Sequence, residues 1–189
     1  LSTAPSKGAA LTISNLGLLY HTTGRLSKAE EFTLEALGMR RDQLQDIDGY
    51  GASLNNLGVL YKDLGRYADA EANLERARIS TRETKGETSS AYAIVLNNLA
   101  ILNQVTGKYD EAEKLLMQAL ETASAEMKEK SPNYIRMKVN LAMLYQLQQR
   151  YPEAEKIYLE AIQLKRKRLG TGHPDFAVLL RNLAALYML

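Results

Sequence analysis

An asparagine followed by Leu-Gly or Leu-Ala returns at Asn15, Asn56, Asn98, Asn140 and Asn182, at intervals of 41, 42, 42 and 42 residues. Fourteen residues after each of the first four stands an alanine (Ala29, Ala70, Ala112, Ala154), and seven further on another (Ala36, Ala77, Ala119, Ala161). A register held over four periods means that the chain is built from copies of one unit. Such units bury their faces by stacking on their neighbours.

Each period reads as two helices. In the first, apolar residues recur at helical spacing, as in Val95, Leu96, Leu99 and Leu102. A polar turn follows, centred on Gly24, Gly65 or Gly107, where glycine suits the left-handed conformation that ends a helix. The second helix opens with acidic residues such as Asp110, Glu111 and Glu113, which favour the positive end of the helix dipole. Ser131-Pro132 and His173-Pro174-Asp175 mark further helix starts, because proline is at home in a first turn. Nothing in the chain alternates like a strand. The period predicts repeats over 8–47, 48–88, 89–130 and 131–172 and a half repeat over 173–189, together one domain over 1–189. The start at Leu1 rather than Met reads as a fragment of a longer protein.

Small residues carry the packing within a repeat. Gly17, Gly58, Ala100, Ala142 and Ala184 on first helices are expected to face Ala29, Ala70, Ala112 and Ala154 on second helices, letting the axes approach closely. Tyr20, Tyr61, Tyr145 and Tyr187 supply large apolar area beside them, and Asn103 takes that place in the third repeat.

This pattern resembles the tetratricopeptide repeat, whose Leu-Gly-x-x-Tyr and later Ala positions correspond to Leu57, Gly58, Tyr61, Ala70 and Ala77. The 42-residue period is similar to the kinesin light chain class of that family, as are the stretches GKYDEAEKLLMQAL, LNNLAIL and YPEAEKIYLEAIQLKRKRLGTGHPDFAVLLRNLAALY. Departures are Thr33, where a large apolar residue is usual, and the Lys138-Val139 order. The resemblance implies an all-α, right-handed superhelical solenoid of antiparallel helix pairs, about nine helices in all. It also implies that the first helices line a concave groove.

On a first helix the anchor asparagine and the residues four before, three after and seven after it share one face. That face carries the ladder Asn15, Asn56, Asn98, Asn140, Asn182 and an apolar ladder Leu18, Val59, Ile101, Met143, Ala185. Asn55, Asn97, Lys62, Gln104, Gln146 and Arg181 flank them. An asparagine amide can pair with the N–H and C=O of an extended peptide, and apolar steps can take its side chains. The candidate peptide-binding residues are therefore Asn55, Asn56, Asn97, Asn98, Ile101, Gln104, Arg136, Asn140, Met143, Arg181 and Asn182. The alternative is that the asparagines bond to neighbouring helices and maintain stacking. If they face a ligand, alanine at Asn98 and Asn140 should cost less than about 1 kcal/mol of stability. Arg136 and Arg181 would suit an acidic ligand. A carboxylate clamp of the kind known in relatives is not expected, since the positions four before the anchor read Leu11, Ala52, Ile94, Arg136 and Val178.

Other classes of function find little support. The net charge is +2, without the basic surplus that nucleic acid demands, although KRKRLG at 165–170 is a local basic run. The absence of cysteine excludes disulfides and thiolate metal sites. No apolar run is long enough to span a bilayer, and a cytoplasmic location without membrane contact is the expectation. His21 and His173 lie on different repeats, so a shared metal or acid–base role is not expected. Gly170-Thr171-Gly172 lacks the strand and the Lys-Ser/Thr of a phosphate loop. Glu30, Glu71, Glu113 and Glu155 recur once per repeat and read as surface or inter-repeat pairs. The expected protein has no catalytic site, cofactor or metal, and binds a protein or peptide partner in its groove. Two alternatives are end-to-end self-assembly, through the half repeat at the C-terminal end, and service as the regulatory arm of a larger enzyme.

Overall fold

The computed structural model describes residues 6–127, 131–169 and 174–188. Among them are nine α-helices and no strand: α1 (Lys7–Thr22), α2 (Leu26–Gly38), α3 (Ile47–Asp63), α4 (Tyr67–Lys85), α5 (Ser90–Val105), α6 (Tyr109–Met127), α7 (Pro132–Leu147), α8 (Tyr151–Leu169) and α9 (Pro174–Leu186). Two compact units divide the chain, Leu1–Glu87 and Thr88–Leu189. In the first, α1 pairs with α2 and α3 with α4, and α2 joins the pairs by packing on α3. In the second, α5 pairs with α6 and α7 with α8, α6 packs on α7, and α9 lies against α8.

The helix starts are written locally. The Ser6, Ser89 and Ser131 hydroxyls each accept a hydrogen bond from a backbone N–H in the first turn of α1, α5 and α7, and Pro132 opens α7. The turn inside each repeat explains the spacing of Tyr, Gly and Arg. The Arg25, Arg66, Lys108 and Arg150 N–H groups donate to the carbonyls of Tyr20, Tyr61, Asn103 and Tyr145, each at 2.8 Å. This closes the six-residue loop of a Schellman end, with the residue before the cation in left-handed conformation. Gly24, Gly65 and Gly107 take that place at φ of 74°, 74° and 78°, and Gln149 takes it at 60° in the fourth repeat.

Close approach of the helices follows from the small residues. A Cβ on Gly58 would lie 2.5 Å from the Leu74 Cγ and 3.2 Å from the Ala70 carbonyl oxygen. On Gly17 it would lie 2.7 Å from the Thr33 hydroxyl. Thr33 is thus the buried counterpart of Leu74, Leu116 and Tyr158, and its smaller side chain sits against a glycine. In the second unit Ala100, Ala112, Leu116, Ala142, Ala154 and Tyr158 form one fully buried cluster.

Sequence patterning did not foresee one buried charge. Arg40 lies in a π-helical turn, Met39–Gln43, that follows α2, and only 5% of it is exposed. Its guanidinium donates to the Gly49 carbonyl at 3.1 Å and to the Ser53 hydroxyl, and its Nε lies 3.7 Å from the Asp46 carboxylate. Burial lowers its pKa, and Asp46 works in the opposite direction.

Candidate functional site

A first helix in mid-unit buries two of its sides, one against its own second helix and one against the neighbouring repeat. What remains is a single stripe. On α5, Tyr92, Ala93, Val95, Leu96, Asn97, Leu99, Ala100 and Leu102 are buried, while Ile94, Asn98, Ile101 and Gln104 are half-buried and Val105 is exposed. On α7, Ile135, Met137, Leu141, Ala142, Leu144 and Tyr145 are buried. Asn140 is half-buried, and Arg136, Met143 and Leu147 are exposed. On α9, Leu179, Leu183 and Leu186 are buried, Asn182 is half-buried, and Val178, Arg181 and Ala185 are exposed. In the first unit, Asn55, Asn56 and Val59 of α3 are half-buried, and Leu11, Asn15 and Leu18 of α1 are exposed. The anchors and the residues three after them therefore reach the surface along the stripe that helical geometry predicts.

Asn97 is different from its neighbours in the candidate set. It is only 1% exposed. Its side-chain oxygen accepts a hydrogen bond from the Asn140 amide at 2.8 Å, and its own amide approaches the Asn98 oxygen at 3.4 Å. The anchor of α7 thus bonds back to the residue that precedes the anchor of α5. One face of Asn140 is engaged in stacking and its carbonyl oxygen remains. The position that precedes the anchor reads Ser14, Asn55, Asn97, Val139 and Arg181 along the chain, so this pairing cannot repeat at α9.

Arg136 and Arg181 are exposed and make no ion pair or hydrogen bond among the described residues. Lys138, by contrast, is held by Glu160 at 2.6 Å. In the first unit, Lys62 and His21 both reach Asp63, at 2.5 Å and 2.8 Å. Burial pushes the Asp63 pKa up, but these two hydrogen bonds outweigh it and the carboxyl titrates below its ordinary range. His21 therefore belongs to a contact between α1 and α3. His173 and the connection at 170–172 lie outside the described residues.

Glu30, Glu113 and Glu155 are receivers for the next repeat. Glu30 accepts from Arg66 at 2.8 Å. Glu113 accepts from the Tyr145 hydroxyl at 2.9 Å and from Arg150 at 2.8 Å, and Glu155 accepts from the Tyr187 hydroxyl. In each complete clasp the guanidinium also covers the tyrosine ring, 4.0 Å from the Tyr61 centroid and 3.9 Å from that of Tyr145. Among the described residues no group of His, Cys, Asp and Glu is placed to hold a metal ion. None of the described helices is long and apolar enough to cross a membrane.

A family model described as a tetratricopeptide repeat matches residues 50–125 and 133–189, and a second of the same description matches 9–42. No curated protein matches the sequence. Among solved structures, BtubC (BKLC) from P. vanneervenii superimposes with a TM-score of 0.79 at 29% identity. That match covers 93% of this chain and 70% of the other. The nearly identical TPR-like repeats of a Podosopora anserina protein assigned as a kinesin light chain superimpose with a TM-score of 0.77 at 20% identity. They cover 100% of this chain and 88% of theirs, and a variant of the same repeats covers 95% and 85% at the same TM-score and identity. These likenesses bear out the all-α solenoid of antiparallel helix pairs and its kinesin light chain-like character.

Proposed function

The chain belongs to the tetratricopeptide repeat family, and from that premise we propose that it is a non-catalytic interaction module that binds an extended peptide segment of a partner protein along its first helices. The observation that carries this reading is the stripe on α5 and α7. There Asn98 and Ile101, and then Asn140 and Met143, reach the surface while Asn97, Leu99 and Ala100 of α5 and Leu141, Ala142 and Leu144 of α7 are buried. Asn98, Ile101, Gln104, Arg136, Asn140, Met143, Arg181 and Asn182 form the proposed contact surface in the second unit, and Asn55 and Asn56 its counterpart in the first. Asn97 serves as the buried support of Asn140. Glu30, Glu113 and Glu155, whose recurrence invites an acid–base reading, are engaged in clasps between repeats.

The test is selection of a random displayed peptide library on the purified chain. Enriched sequences that bind the native protein and lose binding to the Ile101→Glu and Met143→Glu variants would support the reading. Enriched peptides indifferent to both variants would overturn it. Both side chains are surface-accessible, so the variants are expected to keep the native melting temperature within a few degrees.

A further inference from the structure

We propose that the side of α1 bearing Leu16 and Leu19 docks an amphipathic helix of a partner protein, and that this helix presents a glutamate to Tyr20 and Arg25. The surface adjoins the stripe of anchors but is a different one, because the same positions on the other first helices are buried in the core.

Leu16 and Leu19 stand one and four residues after the anchor Asn15 and are 37% and 55% exposed. The leucines at these two positions on α3, α5, α7 and α9 are at most 8% exposed. In the second unit the cover is plain. Leu141, Leu144 and Tyr145 of α7 share one cluster with Leu116 of the preceding second helix, α6, and Leu120 packs against that cluster. In the first unit α2 packs on α3. A leucine pair that is buried on four first helices and open on one is a docking face, and an amphipathic helix is the element that covers such a face elsewhere in this chain.

The same side carries half of a clasp. Arg25 donates its backbone N–H to the Tyr20 carbonyl, as Arg66 and Arg150 do to Tyr61 and Tyr145, so the three pairs start from one turn geometry. With Glu30 and Glu113 bound, the Arg66 and Arg150 guanidinium groups lie 4.0 and 3.9 Å from their tyrosine rings. Around Tyr20 the arrangement is more open. Arg25 stands 5.9 Å and Lys28 5.3 Å from the ring centroid, and the ring stacks on Phe32 at 5.3 Å. Among the described residues no carboxylate pairs with Arg25 or Lys28, and the Tyr20 hydroxyl has no hydrogen-bond partner. A carboxylate placed here can accept from the guanidinium, the ammonium and the hydroxyl together. The chain's own second helices specify the occupant. On α6, Glu113, Leu116 and Leu120 stand at spacings of three and seven, which is one face of a helix. A partner helix with a glutamate followed at those spacings by apolar residues closes the clasp and covers both leucines.

The experiment uses the whole chain and a fluorescent peptide with the sequence of α6, Tyr109–Met127, read by anisotropy. A hydrocarbon staple between positions Lys114 and Gln118, both exposed on α6, holds the peptide helical. The peptide is expected to bind the parent chain, and Leu19→Asp is expected to abolish binding. Arg25→Glu is expected to weaken it by about five- to tenfold. A peptide carrying Glu113→Lys should bind the parent less tightly and recover on the Arg25→Glu chain, a rescue that a merely structural role for Arg25 does not produce. The Leu19 and Arg25 side chains are exposed, so both variants keep the fold. Absence of binding would overturn the proposal. Binding that survives Leu19→Asp but is lost in Leu180→Asp would overturn it too, by placing the peptide on α9. Binding indifferent to the exchange of charges would remove the glutamate from the site and with it the proposed occupant.

Discussion

The Arg150 guanidinium lies over the ring of Tyr145, 3.9 Å from its centroid, and from there reaches Glu113 on the preceding repeat. Tyr145 donates its hydroxyl to the same carboxylate. One glutamate therefore ties down both ends of the next repeat's turn. Replacing Tyr145 by Phe is expected to lower stability by about 1 kcal/mol, because only the hydroxyl bond is removed while the ring and its cation remain. A double-mutant cycle with Glu113→Gln should show strong coupling in chemical denaturation, and additive effects would mean that the clasp contributes nothing as a unit.

The bond between Asn140 and Asn97 changes what the stripe predicts for stability. Asn98→Ala removes a half-buried side chain that accepts, at 3.4 Å, from the buried Asn97 amide, and should cost about 1 kcal/mol. Asn140→Ala removes the donor to a buried oxygen and is expected to cost about 1–3 kcal/mol. Gly58→Leu places side-chain atoms where Leu74 already stands and should cost at least as much, about 1–3 kcal/mol or more. Thermal melts of the three variants would rank them, and an Asn140→Ala protein as stable as the parent would show that the bond is dispensable.

Gln149 holds the left-handed turn position that glycine holds in the three preceding repeats. A side chain there costs about 1 kcal/mol, and Gln149→Gly should recover part of it despite the greater freedom of glycine in the unfolded chain. The expected result is a rise in melting temperature. Gly65→Ala should lower it.

Burial pushes the Tyr158 pKa up to about 12, and burial also raises Tyr61 and Tyr145, helped by Glu30 and Glu113. Below about pH 10 these phenols are neutral in both folded and unfolded chains, so stability is at its full value there. Between about pH 10 and 12 the unfolded chain releases protons that the folded chain retains, and stability falls. For Tyr158 alone the loss amounts to about 2 to 3 kcal/mol. Denaturation midpoints followed over this range should fall less steeply in Tyr158→Phe. An unchanged slope would remove Tyr158 as a cause.

On α9, Leu180 and Tyr187 are 45% and 62% exposed, whereas their counterparts Leu54, Leu96, Tyr61 and Tyr145 are buried. An apolar face of this kind tends to acquire a cover. The chain is expected to self-associate through it, with a mass above that of the monomer in light scattering that returns to the monomer on Leu180→Asp. A monomeric parent at high concentration would exclude this contact.

The helix pairs, the turn glycines and the close-packed alanines were legible because each answers a need that recurs every 42 residues. Repetition separates such needs from chance. The periodic glutamates were legible as pairs, though their tyrosine and arginine partners required the three-dimensional register. Arg40 was not legible. It occupies one site in one repeat, where Thr81 and Ala123 are its counterparts, and only the local π-helical turn turns it inward. The distinction between Asn97 and Asn98 was hidden for another reason. Adjacent residues differ by 100° around a helix, and near the edge of a stripe that angle separates the half-buried Asn98 from the buried Asn97.

The clasp from tyrosine and arginine to glutamate sits at the turn, away from the stripe of anchors. Within each unit the residues that lock one repeat to the next are therefore different residues from most of those that would meet a partner. Descendants of such a chain are free to exchange Ile101 or Met143 one repeat at a time without breaking a clasp, and Asn140, bonded to Asn97, is one place where that freedom ends. Recognition can drift while architecture stays put, and one scaffold can be re-addressed to new partners by few substitutions.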